Sequence, residues 1–378
     1  MDFLNYRRLL PRMALLAICA FVPVGVGRAQ QQRQTPLTNA EFLATVRQLP
    51  QHPNLKEQLI GEIRRRGIDF TLTSGLRAFV ATKSGNDEEL RRVLEEAERR
   101  FLNPKEATPL PSEAETADVL AKARAATLEA TEQMPDFVVK QLVTRSSALE
   151  NTQNWRVSDR LVVGVSYRVS EGEQYRLLNV NGSAAPAGAE KGDYREAGGA
   201  NSTGEFVSIL KGLFAEESHA EFKPLDTDTL RGRRALVYTY DIKKVNSKWL
   251  LDHGDSSVIA AHRGKVWIDR EKFRVLRVES TSYDVPSSFA ITASNVAVDY
   301  DWVTIPGQGE YLLPSHSVIV MTVAERGQVE QYRNDIRFRN YQKFGTELKI
   351  LDDDIIDEDV PAETQPKPPE KKPSEKKP

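Results

Sequence analysis

Few residues in this chain have the type and spacing to do chemistry. The five histidines are His52, His219, His253, His262 and His316. No two have the spacing that sets paired imidazoles on one helix face for a metal. His253 and His262 lie near Asp252 and Asp255, so a weak metal site is conceivable. Exposed polar positions in a loop or strand are the simpler account. The "GDSSV" at 254–258 lacks the second glycine of a nucleophile elbow. The "GQGEYL" at 307–312 sits between two strand patterns and reads as a turn, not a phosphate loop. The acidic run "DDDIIDED" has neither the alternating ligands nor the central glycine of a calcium loop. Nothing marks a carboxylate pair for acid–base work. The reading is a non-enzyme with no cofactor and no metal.

The single cysteine, Cys19, lies in the apolar run "MALLAICAFVPVGV". A basic segment precedes this run, and "GRA" followed by polar "QQQRQ" ends it. That layout predicts a secretory signal over 1–29, cleaved near Ala29, and an exported, periplasmic mature chain. The run is short for a bilayer and Pro23 interrupts it, so no stable transmembrane span is expected after cleavage. Retention of the segment as an anchor is the alternative. The mature chain then holds no thiol, disulfide or thiolate site. The formal net charge is −2, and 40% of the residues are hydrophobic. Neither suggests a nucleic-acid partner.

Patterning places the elements. Over 37–102 the apolar residues recur at helical spacing, with Thr38 and Glu41 as a capping box, Asn86 or Asp87 as an N-cap and Gly67 as a C-cap. This is a small helical module. The Pro-rich stretch 103–112 is a linker. "SEAETADVLAKARAATLEATEQ" is one long helix that stops at Met134–Pro135. From Phe137 the period becomes two. Leu161, Val163, Val165, Tyr167 and Val169 share a face. So do Leu236, Tyr238, Tyr240 and Ile242, then Val296, Val298, Tyr300 and Trp302, and then Tyr332, Ile336 and Phe338. Tyr175 and Leu177 are set together, with Leu178 and Val180 opposite. Serial strands with short turns predict an antiparallel meander. One helix interrupts it, "NSTGEFVSILKGLF", capped by Ser202 and Glu205, with a Phe206–Leu210–Phe214 stripe that must pack on the sheet. The end of the chain, 351–378, is an acidic run and a Pro/Lys/Glu tail too polar to fold.

The segments "ETADVLAKARAATLEATEQMPDFVVKQLVTR", "GKVWIDREKFRVLRVES" and "VAVDYDWVTIPGQGEYLLPSHSVI" resemble the LolA/LolB/RseB superfamily of periplasmic lipoprotein-sorting proteins, over roughly 112–350. The resemblance implies an α+β fold, a curved antiparallel half-barrel packed by helices, here preceded by the all-α module. Its hollow would hold acyl chains or peptides, and its members bind rather than catalyse. The ligand-lining candidates on this reading are Trp267, Trp302, Tyr240, Phe206, Leu210 and Phe214. The N-terminal module and charged tail depart from the family pattern. The expected partner is a lipid or lipoprotein acyl chain. The alternative is an envelope scaffold or sensor that contacts other proteins through the helical module and tail. Within this picture Trp267 is odd, since it alternates with Val266 and Ile268 and shares a face with Lys265 and Asp269.

Overall fold

The computed structural model describes residues 35–104, 111–150, 152, 154–185, 206–325 and 327–345. The segment read as a signal, the capping box expected at Ser202 and Glu205, the acidic run and the tail read as too polar to fold lie outside these residues.

Four helices open the described residues: α1 (Asn39–Val46), α2 (Leu55–Arg66), α3 (Ser74–Ser84) and α4 (Glu88–Leu102). Thr38 and Glu41 form the expected reciprocal capping box on α1. Gly67 closes α2 at φ 70°. Asp87, not Asn86, caps α4, its carboxylate accepting from the Leu90 amide. Asn86 takes a left-handed conformation that leads into the cap. The apolar faces of these helices close on one another around Phe42, Val46, Ile60, Ile63 and Leu90. Among the described residues, the large apolar side chains this module leaves exposed are Phe101 and Leu102.

The long helix α5 (Glu113–Glu132) starts at Ser112 and ends before Met134–Pro135. Among the described residues twelve strands follow: β1 (Phe137–Leu149), β2 (Arg156–Arg168), β3 (Gly172–Val180), β4 (Ser183–Ala184), β5 (Glu221–Leu230), β6 (Arg233–Ile242), β7 (Trp249–His253), β8 (Ser256–Asp269), β9 (Val275–Tyr283), β10 (Ile291–Ile305), β11 (Gly309–Glu325) and β12 (Gln328–Lys343). The short helix α6 (Ser208–Phe214) precedes β5. The strand order is β4-β3-β2-β1-β12-β11-β10-β9-β8-β6-β5, with β7 paired to β8. Every strand pairing is antiparallel, and the sheet stays open, with β1 and β12 joining the two ends of the meander at its centre. The fold is α+β, as the change of period predicts.

Two local features depart from simple alternation. A register shift opposite Val162–Val163 leaves Leu178 as an extra residue in β3. Val180 therefore joins the same apolar cluster as Leu177 instead of facing away from it. "GDSSV" supplies the turn and first residues of a β7–β8 hairpin, with Gly254 at φ 58°.

Candidate functional site

One face of the sheet is apolar across almost its whole width. Val143, Ile336, Ser317, Val298, Val278, Val266 and Tyr238 are registered partners in turn from β1 to β6. A second row runs Asn334, Ile319, Val296, Ser280, Gly264, Tyr240, Phe222. Registered partners in antiparallel strands share a face, so both rows look the same way. They join two apolar clusters, one around Phe137, Val163, Phe338 and Phe206, the other around Tyr240, Val266, Val298 and Phe214.

Helices α5 and α6 cover this face by different means. Polar contacts pin α5: the Tyr238 hydroxyl donates to the Thr116 carbonyl at 2.7 Å, Arg270 pairs with Glu115, and Arg274 donates to the Ala126 carbonyl. Its Val119 and Ala123 pack beneath. By contrast α6 has seven residues, begins at Val207 without a side-chain cap, and meets the sheet through Leu210, Leu213 and Phe214. Phe214 stacks on Phe222 at 5.6 Å. Just upstream, Phe206 sits edge-on to Phe338 at 5.3 Å and against Phe137 at 5.3 Å.

Four of the six candidate residues, Phe206, Leu210, Phe214 and Tyr240, meet on this face, all buried. Tyr240 spans the gap over Gly264: its hydroxyl reaches the Glu279 carbonyl at 3.1 Å and the Ser280 hydroxyl. Trp302 is half-buried on β10 opposite Leu312.

Trp267 lies on the other face. Its row is His316, Asp299, Arg277, Trp267, Val237, Asp226. The helical module covers it there, and it is 0% exposed. The Arg92 guanidinium of α4 lies 5.5 Å from the Trp267 ring and that of Arg277 5.9 Å. The indole N–H donates to Asp228 at 2.8 Å. A Trp beside Lys and Asp is thus explained by a second layer, an ionic one. Arg64 pairs with Glu89 at 3.0 Å, Arg92 with Glu279 at 3.3 Å, Arg100 with Asp226 at 3.1 Å and Arg234 with Glu96 at 3.0 Å. Burial by itself would raise the Glu96 carboxyl, but the guanidiniums of Arg99, Arg100 and Arg234 more than offset this and hold it below the usual carboxylate range. At Asp228 burial prevails over the Trp267 N–H and Arg92, and the carboxyl is raised. The cavity between α2, α4, β5 and β6 measures about 10 Å³, room for one water at most.

His262 belongs to the rim of the apolar face. Its ring lies 4.9 Å from Trp249 and 6.0 Å from Tyr240, and Nδ1 is 3.2 Å from the Ser247 hydroxyl. Burial lowers its pKa to about 4, against a smaller opposing pull from Asp241. A histidine held neutral by the fold contributes stability above its unfolded value near 6.5, and loses it as pH falls toward 4. Between pH 7 and pH 4 the wild type should therefore lose on the order of 2–3 kcal/mol more than His262→Gln. Urea unfolding at both pH values checks this; parallel losses would show that His262 carries none of the acid sensitivity.

Two residues of the apolar face escape pattern reading. Gln141 and Ser317 are each 0% exposed. Neither the Gln141 carboxamide nor the Ser317 hydroxyl has a hydrogen-bond partner. In sequence Gln141 follows Lys140 and Ser317 ends the polar run Ser315–His316–Ser317, so neither stands out, and only cross-strand register places it inside. Among the described residues no group of three His, Cys, Asp or Glu is placed to hold a metal. No described helix is long and apolar enough to cross a membrane.

No family model matches the chain, and no curated protein matches it. Several solved structures are similar. One is a domain from Vibrio parahaemolyticus assigned to outer membrane lipoprotein sorting, at 16% identity and TM-score 0.29, covering 60% of this chain and 92% of that one. Another is a DUF1329 family protein from Desulfovibrio piger, at 8% identity and TM-score 0.28, covering 60% and 95%. A third is the MucA/MucB complex of Pseudomonas aeruginosa, at 9% identity and TM-score 0.18, covering 58% and 94%. At these identities and TM-scores the likeness assigns no family, role or ligand to this chain.

Proposed function

We propose that this is an exported, non-catalytic binding protein that takes up a hydrophobic chain, such as a lipid or lipoprotein acyl group, on the helix face of its sheet. The segment 206–214 would act as a displaceable occupant. The observation that carries this reading is the contrast between the two helices on that face. Hydrogen bonds and ion pairs hold α5, whereas α6 is short, lacks a side-chain cap and rests on hydrocarbon and rings.

The magnitudes fit an exchange. Phe206, Leu210, Leu213 and Phe214 at about 2 kcal/mol each amount to about 8 kcal/mol of burial. An acyl chain gains about 0.8 kcal/mol per methylene removed from water, so about ten methylenes match it. Shorter chains should not displace the segment, and longer ones should.

The test is a titration of the mature chain with cis-parinaric acid, alongside amide hydrogen exchange. The expected result is saturable fluorescence enhancement, faster exchange across 206–214 and unchanged exchange in α5. No saturable enhancement, with 206–214 protected as before, would overturn the proposal.

A further inference from the structure

We infer that the helix face carries a polar recognition point, Gln141 with Ser317, for an amide group borne by the chain it takes up. This rests on the reading of that face as a chain-binding site and adds the ligand's chemistry.

Gln141 faces inward because its registered neighbours, Val163 on β2 and Phe338 on β12, both belong to the apolar cluster. Val139 and Val143, two residues away on either side along β1, belong to it as well. The carboxamide therefore sits among hydrocarbon, with Nε2 and Oε1 both unpartnered. Ser317 lies two strands away, between Ile336 and Val298, and its hydroxyl is also unpartnered. A buried donor or acceptor without a partner is costly, and most buried polar groups find one. These two groups share a face but are separated by β12, so they cannot serve each other in this register.

The proposed occupant reaches the neighbourhood of Gln141 through Phe338. Phe206 packs edge-on against Phe338, the residue registered opposite Gln141. Withdrawal of Phe206 would open the surface beside the carboxamide. A side-chain carboxamide both donates and accepts at one point. A trans secondary amide presents its N–H and its carbonyl on opposite sides, so the N–H can donate to Gln141 Oε1 while the carbonyl accepts from the Ser317 hydroxyl across β12. An ester offers only acceptors, and a plain hydrocarbon offers nothing. A trapped water is the competing occupant, and it would give no discrimination among these ligands.

The experiment uses the full mature chain and two probes of equal chain length, N-methyldodecanamide and methyl dodecanoate, each displacing cis-parinaric acid. The wild type should bind the amide about tenfold more tightly than the ester. In Gln141→Met, which keeps the volume without polar atoms, the ratio should fall to about one while ester affinity stays within about twofold. Ser317→Ala should reduce the preference by about threefold. Equal wild-type affinities, or an amide preference that survives Gln141→Met, would overturn the inference and leave chain binding standing. Failure of cis-parinaric acid and both probes to bind would remove the chain-binding reading and this inference together. Should Gln141→Met fail to fold, the wild-type ratio still decides.

Discussion

Replacing Gly264 by alanine is expected to cost about 3 kcal/mol or more, at the upper end of what overpacking does to a core. Gly264 lies in the middle of β8, paired with Ser280 on β9 and Tyr240 on β6. A Cβ there would lie 1.8 Å from the Glu279 carbonyl oxygen and 2.7 Å from its carbon. The obstacle is backbone, so no rotamer change relieves it, and β8 and β9 would have to part. The same opening would carry away the Tyr240 hydroxyl bonds to Glu279 and Ser280, which close the sheet over the glycine. Gly61 in α2 is the matched control, since a Cβ there meets nothing within 4 Å. Gly61→Ala should be neutral or stabilising by up to about 1 kcal/mol, the ordinary helix preference for alanine. Urea unfolding of both variants compares them directly. A Gly264→Ala protein as stable as wild type would mean that the two strands do not approach as closely as described.

The second large effect is expected at Trp267. Trp267→Ala should cost about 3–5 kcal/mol, as deletion of a fully buried indole generally does. Here the loss exceeds packing. Arg92 and Arg277 lose the ring between them, and Asp228 loses the indole N–H. Trp267→Phe separates these contributions: it keeps a ring and removes the donor, and should cost about 1–3 kcal/mol at neutral pH. The pH dependence has a definite sign. Burial already raises the Asp228 carboxyl above its ordinary value, and loss of the N–H raises it further. A protonated carboxyl needs that donor less than a carboxylate does. The gap between wild type and Trp267→Phe should therefore narrow as pH falls through the raised pKa. Denaturant unfolding at a series of pH values measures it; a gap that widens toward acid would contradict the assigned roles.

Much of the fold was legible because the local signals were strong and consistent with one another. Thr38 and Glu41 mark a helix start by side-chain chemistry that operates within four residues, and the cap is there. The alternation of Leu236, Tyr238, Tyr240 and Ile242 requires a strand with one apolar face, and all four lie in one cluster. Phe206, Leu210 and Phe214 had to pack on something, and the sheet receives them. Reading failed where the answer depended on a partner strand. Leu178 is an extra residue only in relation to β2, so the face of Val180 could not be read from β3 by itself. Gln141 resembles any polar residue in an alternating strand until Val163 and Phe338 are known to flank it.

The sequence by itself determined most of the helices and strands and, where no bulge intervenes, which side chains share a side of each element; β4, β5 and β7 carried no readable period. Period, caps and turn residues are properties of a few neighbouring positions. Only the tertiary structure decided what each side looks at. Parity placed Trp267 opposite Val266 but could not say that α4 would cover it with Arg92, because that contact joins residues 175 positions apart through ion pairs rather than apolar periodicity. Likewise the stripe on α6 was visible. That it fills the face where a ligand chain would lie, beside an unpartnered carboxamide, emerged only when the registered strands brought Gln141, Phe338 and Phe206 together.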